Sequence, residues 1–137
     1  MDILNVLEKA TQINSVSGSE NEIRKFISDN VKKYCDELSV DAMGNLIAHK
    51  KGSGKKIMFA AHMDEIGIIV TDIDDKGFVR FSSVGGLNLR NLVNLRVRFA
   101  NGVEGVIGAE EESFKDKPAI SKLYVDLGAQ IRKRLKK

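Results

Sequence analysis

The sequence predicts an α/β fold in which a mixed α/β start gives way to a small β-barrel or sandwich. Three observations carry this. Apolar residues recur at helical spacing as far as Tyr34; a short continuous apolar run, "IMFAA" (57–61), follows a β-hairpin pattern; and beyond His62 short strands are separated by turn signals with no helical period between them.

The first helix is predicted over 2–13, where Ile3, Leu4, Leu7 and Ala10 share a face until "SVSGS" breaks the pattern. A second helix is expected to begin at that break. Ser19 and Glu22 have the S-x-x-E spacing of a capping box, in which hydroxyl and carboxylate each satisfy a free backbone N–H. Ile23, Phe26, Ile27, Val31 and Tyr34 then form one apolar face, leaving Asp29, Lys32 and Lys33 in solvent. From Leu38 the period changes to two, and "LSVDAMGNLIAHK" predicts a hairpin turning at Met43-Gly44-Asn45. After a polar loop, 50–56, the unalternating "IMFAA" predicts a strand covered on both faces, as at the centre of an α/β sheet.

The remaining strands are expected at "IGIIVTDI", "GFVRFSSV", "LVNLRVRFA" and "VEGVIGA", with turns at Asp74-Asp75-Lys76-Gly77 and at Asn101-Gly102, the latter favouring type I′. Such regular spacing argues for a small barrel or sandwich. A polar loop over 109–118 carries the single proline, and "ISKLYVDLGA" supplies a last strand.

Charge and composition exclude several function classes. No apolar run approaches the roughly 20 residues that span a bilayer, and the start, Met1-Asp2-Ile3-Leu4-Asn5, lacks the pattern of a signal peptide; no membrane partner and cytoplasmic residence are the expectation. One cysteine, Cys35, cannot form an intrachain disulfide and reads as a small apolar filler on a helix. The net charge of +3 belongs to the tail: without Arg132, Lys133, Arg134, Lys136 and Lys137, 17 basic side chains face 19 acidic ones. Residues 130–137 are read as a solvated basic tail rather than a nucleic-acid site.

"AAHMDEIGIIV" holds the chemistry-bearing candidates. An aspartate two residues after a histidine, at the carboxyl end of a central strand, can fix the ring's tautomer so that the other nitrogen presents its lone pair to a metal. Ligands commonly bind outside such strand ends. His62 is therefore a candidate metal ligand and Asp64 its partner, although a bare H-x-D triplet also occurs at structural histidines. His49, the other histidine, reads as a surface residue of the hairpin.

The longer string resembles the motif of the glutamyl and deblocking aminopeptidases, the TET-type dinuclear metallopeptidases, some of which carry a cellulase or endoglucanase label. "INSVSGSENEIRKFI" is similar to that family's opening helices, "VDAMGNLIAHKKG" to its hairpin, and "GVIGA" and "LYVDLGA" to strands of its second domain, so the resemblance covers about residues 2–129. It implies that residues 1–66 are the incomplete N-terminal part of an α/β/α peptidase domain. Residues 67–129 would be a small β-barrel-like inserted domain of dimerisation type. It further implies that His62 ligates one of two divalent ions, zinc or cobalt, that Asp64 orients it as a catalytic residue, and that the complete site removes N-terminal residues from peptides. In the family a metal-bound water attacks the scissile carbonyl while a glutamate acts as general base.

The family's other ligands and its general base match no residue here. Glu110, Glu111 and Glu112 are consecutive loop acids, read as a solvated face. Since stable zinc sites use three or four protein ligands, the expectation is that this chain alone holds no metal stably and is inactive. "AQIRKRLKK" departs from the resemblance, as a truncated or frameshifted reading frame, or a shortened piece, would. Two readings follow: a truncated metal-dependent aminopeptidase, or a non-catalytic oligomerisation module derived from one. Expected partners are a peptide substrate in the complete enzyme and either further copies of the chain or a complementing C-terminal chain. Glycan hydrolysis lacks recognisable opposed carboxylates.

Overall fold

The computed structural model describes residues 2–110 and 119–128. The acidic pair Glu111 and Glu112, most of the proline-bearing loop, and the basic tail lie outside the described residues. The chain is a mixed α/β protein that divides into two compact units between Glu65 and Ile66.

In the first unit, helix α1 spans Ile3–Ala10 and starts where the Asp2 carboxylate accepts the Asn5 N–H at 3.3 Å. Helix α2 spans Asn21–Val31 and runs into a 3-10 turn, Lys32–Tyr34. Strands β1 (Glu37–Val40) and β2 (Leu46–His49) pair antiparallel, with Leu38 opposite Ala48. Their connection is built by Asp41, whose Oδ1 accepts both the Met43 and the Asn45 N–H at 2.9 Å, and by Gly44 at φ +88°. This is a type I turn closed by a glycine bulge, and the left-handed φ is why glycine stands there.

Four expectations fail in this unit. The capping box does not form: Glu20 is the N-cap residue, without a side-chain bond into the helix, and its carboxylate instead accepts the Gly18 N–H at 2.5 Å. Tyr34 leaves the apolar face because the tighter 3-10 turn rotates it out, and it is 50% exposed. Cys35 lies beyond the helix, half-buried, its Sγ 3.7 Å from the Lys32 carbonyl. Most consequentially, Ile57–Ala61 is not a strand. Ile57, Met58 and Phe59 are 79%, 87% and 94% exposed. A strand is held by neighbours, and among the described residues none pairs with this segment.

The second unit is a five-stranded antiparallel sheet of β3 (Gly67–Ile73), β4 (Val79–Val84), β5 (Arg96–Arg98), β6 (Glu104–Ala109) and β7 (Leu123–Asp126), ordered β3-β4-β7-β6-β5. Among the described residues no pairing joins β3 to β5, so the closure of the expected barrel or sandwich is not seen there. Alternate residues of β4, β6 and β7 share a face. That face, with Leu92, makes the core: Val79, Phe81, Ile107, Leu123 and Val125.

The β3–β4 turn repeats the first hairpin's device. Asp74 Oδ1 accepts the Lys76 and Phe78 N–H groups at 3.0 Å, and Gly77 sits at φ +90°. Asn101-Gly102 follows the same plan rather than type I′: the Gly102 N–H bonds Phe99 O at 2.9 Å, and Asn101 does not take a positive φ. The expected strands "LVNLRVRFA" and "ISKLYVDLGA" are shorter than their apolar patterns. The first follows a 3-10 turn, Leu89–Asn91, and is strand only at Arg96–Arg98; the second opens with a 3-10 turn, Ile120–Lys122. Beside the sheet, Arg80 binds Asp74 Oδ2 and Glu110 Oε1, both at 3.0 Å, and Glu110 Oε2 takes Lys122 Nζ at 3.1 Å.

Candidate functional site

Residues 62–65 are held by a segment nearly fifty residues earlier. Val16 and Glu65 form an isolated parallel bridge. Around it the Glu65 N–H donates to Ser15 O at 2.9 Å, the Ser17 N–H donates to Glu65 O at 3.3 Å, and the Ser15 N–H donates to the Glu65 carboxylate at 2.9 Å. Residues 15–17 of the "SVSGS" segment between the helices are therefore a short extended strip against the H-x-D-E string, and a turn closed by the Ser19 N–H on Val16 O follows. Ser15, at the strip's start, is buried.

This strip brings a hydroxyl to the aspartate. Ser17 Oγ donates to Asp64 Oδ2 at 2.5 Å, while Asp64 Oδ1 lies 3.1 Å from His62 Nδ1. The Asp64 carbonyl oxygen lies 2.9 Å from the same ring nitrogen. Both oxygens facing Nδ1 can only accept, so Nδ1 carries the proton and Nε2 carries the lone pair. His62 is 85% exposed, with that lone pair open to solvent. The Asp64 carboxyl is held below the usual carboxylate range chiefly by the Ser17 hydroxyl, which together with the His62 ring outweighs the opposing effect of desolvation.

The two residues singled out by sequence, His62 and Asp64, are thus in contact. Ser15, Ser17 and Glu65 were not foreseen as parts of the arrangement, and no local pattern marks a residue as the partner of another 47 positions away. His49 lies elsewhere, at the end of β2, 45% exposed, its Nδ1 3.3 Å from Glu37 Oε2. Glu110 is committed to Arg80 and Lys122 in the second unit. Among the described residues, no group of three His, Cys, Asp or Glu side chains is placed to hold a metal ion. No helix among them is long and apolar enough to cross a membrane.

Comparison with known proteins identifies relatives. The model of the M42 glutamyl aminopeptidase family matches residues 44–137, beyond the point near residue 129 where the resemblance noted above ends. A putative aminopeptidase of Acetivibrio thermocellus is 53% identical over 133 residues, 96% of this chain and 40% of its own length. An aminopeptidase of the archaeon Desulfurococcus kamchatkensis superposes with a TM-score of 0.85 at 34% identity, over 95% of this chain and 38% of its own. A TET peptidase of Pyrococcus horikoshii, which can assemble into a tetrahedron or a large octahedral shell, superposes with a TM-score of 0.78 at 36% identity, over 99% of this chain and 44% of its own. The chain therefore spans about two fifths of the length of these relatives.

Proposed function

Because the chain belongs to the M42 glutamyl aminopeptidase family, we propose that it supplies the N-terminal part of a metal-dependent aminopeptidase, with His62 as one metal ligand through Nε2 and Asp64 as the residue that orients it. The observation that carries this reading is the pair of acceptors on His62 Nδ1, which leaves the Nε2 lone pair facing outward. Histidine ligands characteristically donate their second ring nitrogen to a carboxylate or carbonyl in this way. When bound, divalent ions such as zinc or cobalt lower the pKa of water and polarise the scissile carbonyl of the peptide substrate.

Residues 1–66 are then part of the peptidase domain and 67–129 the inserted β-rich domain. One imidazole does not make a stable zinc site, which takes three or four protein ligands. The 137-residue chain by itself is accordingly inactive, and the site is completed by the portion that relatives carry beyond the matched region. Cover for Ile57, Met58 and Phe59, and for the exposed α1 face of Ile3, Leu4 and Leu7, comes from the same portion.

The experiment is reconstitution. The chain is mixed with the part of the Acetivibrio thermocellus relative that it does not cover, and release of N-terminal residues from peptides is followed with zinc or cobalt present. Activity is expected with the wild-type chain and at least about a hundredfold less with His62→Ala. Equal turnover by the variant would overturn the reading.

A second reading, a non-catalytic oligomerisation module, is favoured by one observation: the buried apolar cluster belongs to the second unit. The chain would self-associate through that unit; the Pyrococcus relative can itself assemble into a tetrahedron or a large octahedral shell. A metal-free oligomer whose size ignores chelator, and that gains no activity on reconstitution, supports this alternative.

A further inference from the structure

We infer that Ser17 is a positioning residue for the His62 ring: its hydroxyl pins the Asp64 carboxylate, which with the Asp64 carbonyl oxygen at 2.9 Å makes His62 Nδ1 the proton-bearing nitrogen. The inference deepens the metal-ligand reading and rests on it for its consequence, but its geometry stands alone. Asp64 has two carboxylate oxygens with divided duties, Oδ2 accepting from Ser17 Oγ at 2.5 Å and Oδ1 facing His62 Nδ1 at 3.1 Å. The Asp64 side chain is about one third exposed, and the ring much more so. Without a second anchor, such a carboxylate is free to rotate towards water. Ser17 is that anchor, and it cannot drift, because the bridge between Val16 and Glu65 and the Ser17 N–H bond to Glu65 O fix its backbone.

The chain of contacts runs Ser17 Oγ–H to Asp64 to Nδ1–H of His62. Every donor in it is matched to an acceptor, and in the neutral ring the lone pair is on Nε2. A free histidine prefers the opposite tautomer, with the proton on Nε2, in which that lone pair is lost. The serine thus acts on the ligand through the aspartate, touching neither the ring nor a metal.

The test reads the tautomer directly in the full chain, without metal, from long-range proton–nitrogen correlations of the His62 ring at mildly alkaline pH. The wild type is expected to be mainly the Nδ1–H form. Ser17→Val, which removes the hydroxyl, should lower the ratio of Nδ1–H to Nε2–H by about threefold or more, and Ser17→Thr, of the same shape with the hydroxyl restored, should return it. A ratio unchanged in Ser17→Val, or shifted equally in Ser17→Thr, overturns the inference, as does a wild type already in the Nε2–H form. The Glu65 amide, bonded to Ser15 O, reports in the same spectra whether the strip remains in place. Because no metal or peptide is involved, failure here leaves the reconstitution experiment untouched, and failure there leaves the tautomer result standing.

Discussion

Val79 and Val125 stand directly opposite each other across β4 and β7, 2% and 0% exposed. Shortening either opens a void that its neighbours Phe81, Ile107 and Leu123 cannot fill without moving. Val125→Ala is expected to destabilise the second unit by about 2 kcal/mol, read by urea unfolding of the full chain. Ile57→Ala, at a side chain 79% exposed, should change stability by under about 0.5 kcal/mol. Comparable losses at the two positions would mean that Ile57 is packed in solution.

Arg80 ties Asp74 to Glu110 from a half-buried position. Burial opposes ionisation of Asp74, but the Phe78 N–H, Arg80 and Lys76 N–H bonds outweigh it and lower its pKa; the Lys122 and Arg80 bonds lower that of Glu110. Carboxylates depressed in the folded state contribute stability that is fully present above their ordinary values, about 4, and is lost as pH falls through the depressed values. The chain should therefore lose stability on acidification below about pH 4.5. Arg80→Met should cost about 1–2 kcal/mol at neutral pH and flatten that acid dependence. Denaturant midpoints measured across the pH range check both, and an unchanged slope in the variant would contradict the assignment.

Gly105 is enclosed by β7. A Cβ there would lie 2.5 Å from Val125 Cγ1, 2.6 Å from Leu127 Cδ2 and 2.9 Å from the Asp126 carbonyl oxygen. The first two neighbours belong to the packed core or its rim, and the third is backbone that cannot yield. Gly105→Ala should cost about 1–3 kcal/mol, whereas Gly52→Ala, with nothing within 4 Å, should be near neutral. Thermal unfolding of the two variants side by side separates these outcomes.

The two helices and the positions of the three hairpin turns, though not the type of the Asn101-Gly102 turn, were legible in sequence because their causes are local: a 3.6-residue period, or a glycine near an aspartate or asparagine. So was the contact of His62 with Asp64, two residues apart. "IMFAA" misled because its composition records an environment that the described residues do not supply, and a strand forms only with partners. Ser19 and Glu22 carried the capping spacing, yet the Ser19 N–H is drawn to Val16 O at 2.8 Å by the strip's pairing with Glu65. Tertiary register overrode a local signal there. The same pairing put Ser17 on Asp64, and nothing near either residue announces it.

The central claim is that His62 contributes one bond to a metal it must share, and zinc affinity tests this most directly. Titration calorimetry would compare the chain alone, the chain with the complementary part of the Acetivibrio relative, and that pair carrying His62→Ala. The account predicts weak binding to the chain alone, tight binding to the pair, and a loss of about tenfold or more on His62→Ala. Tight binding by the pair that is indifferent to His62→Ala would contradict it.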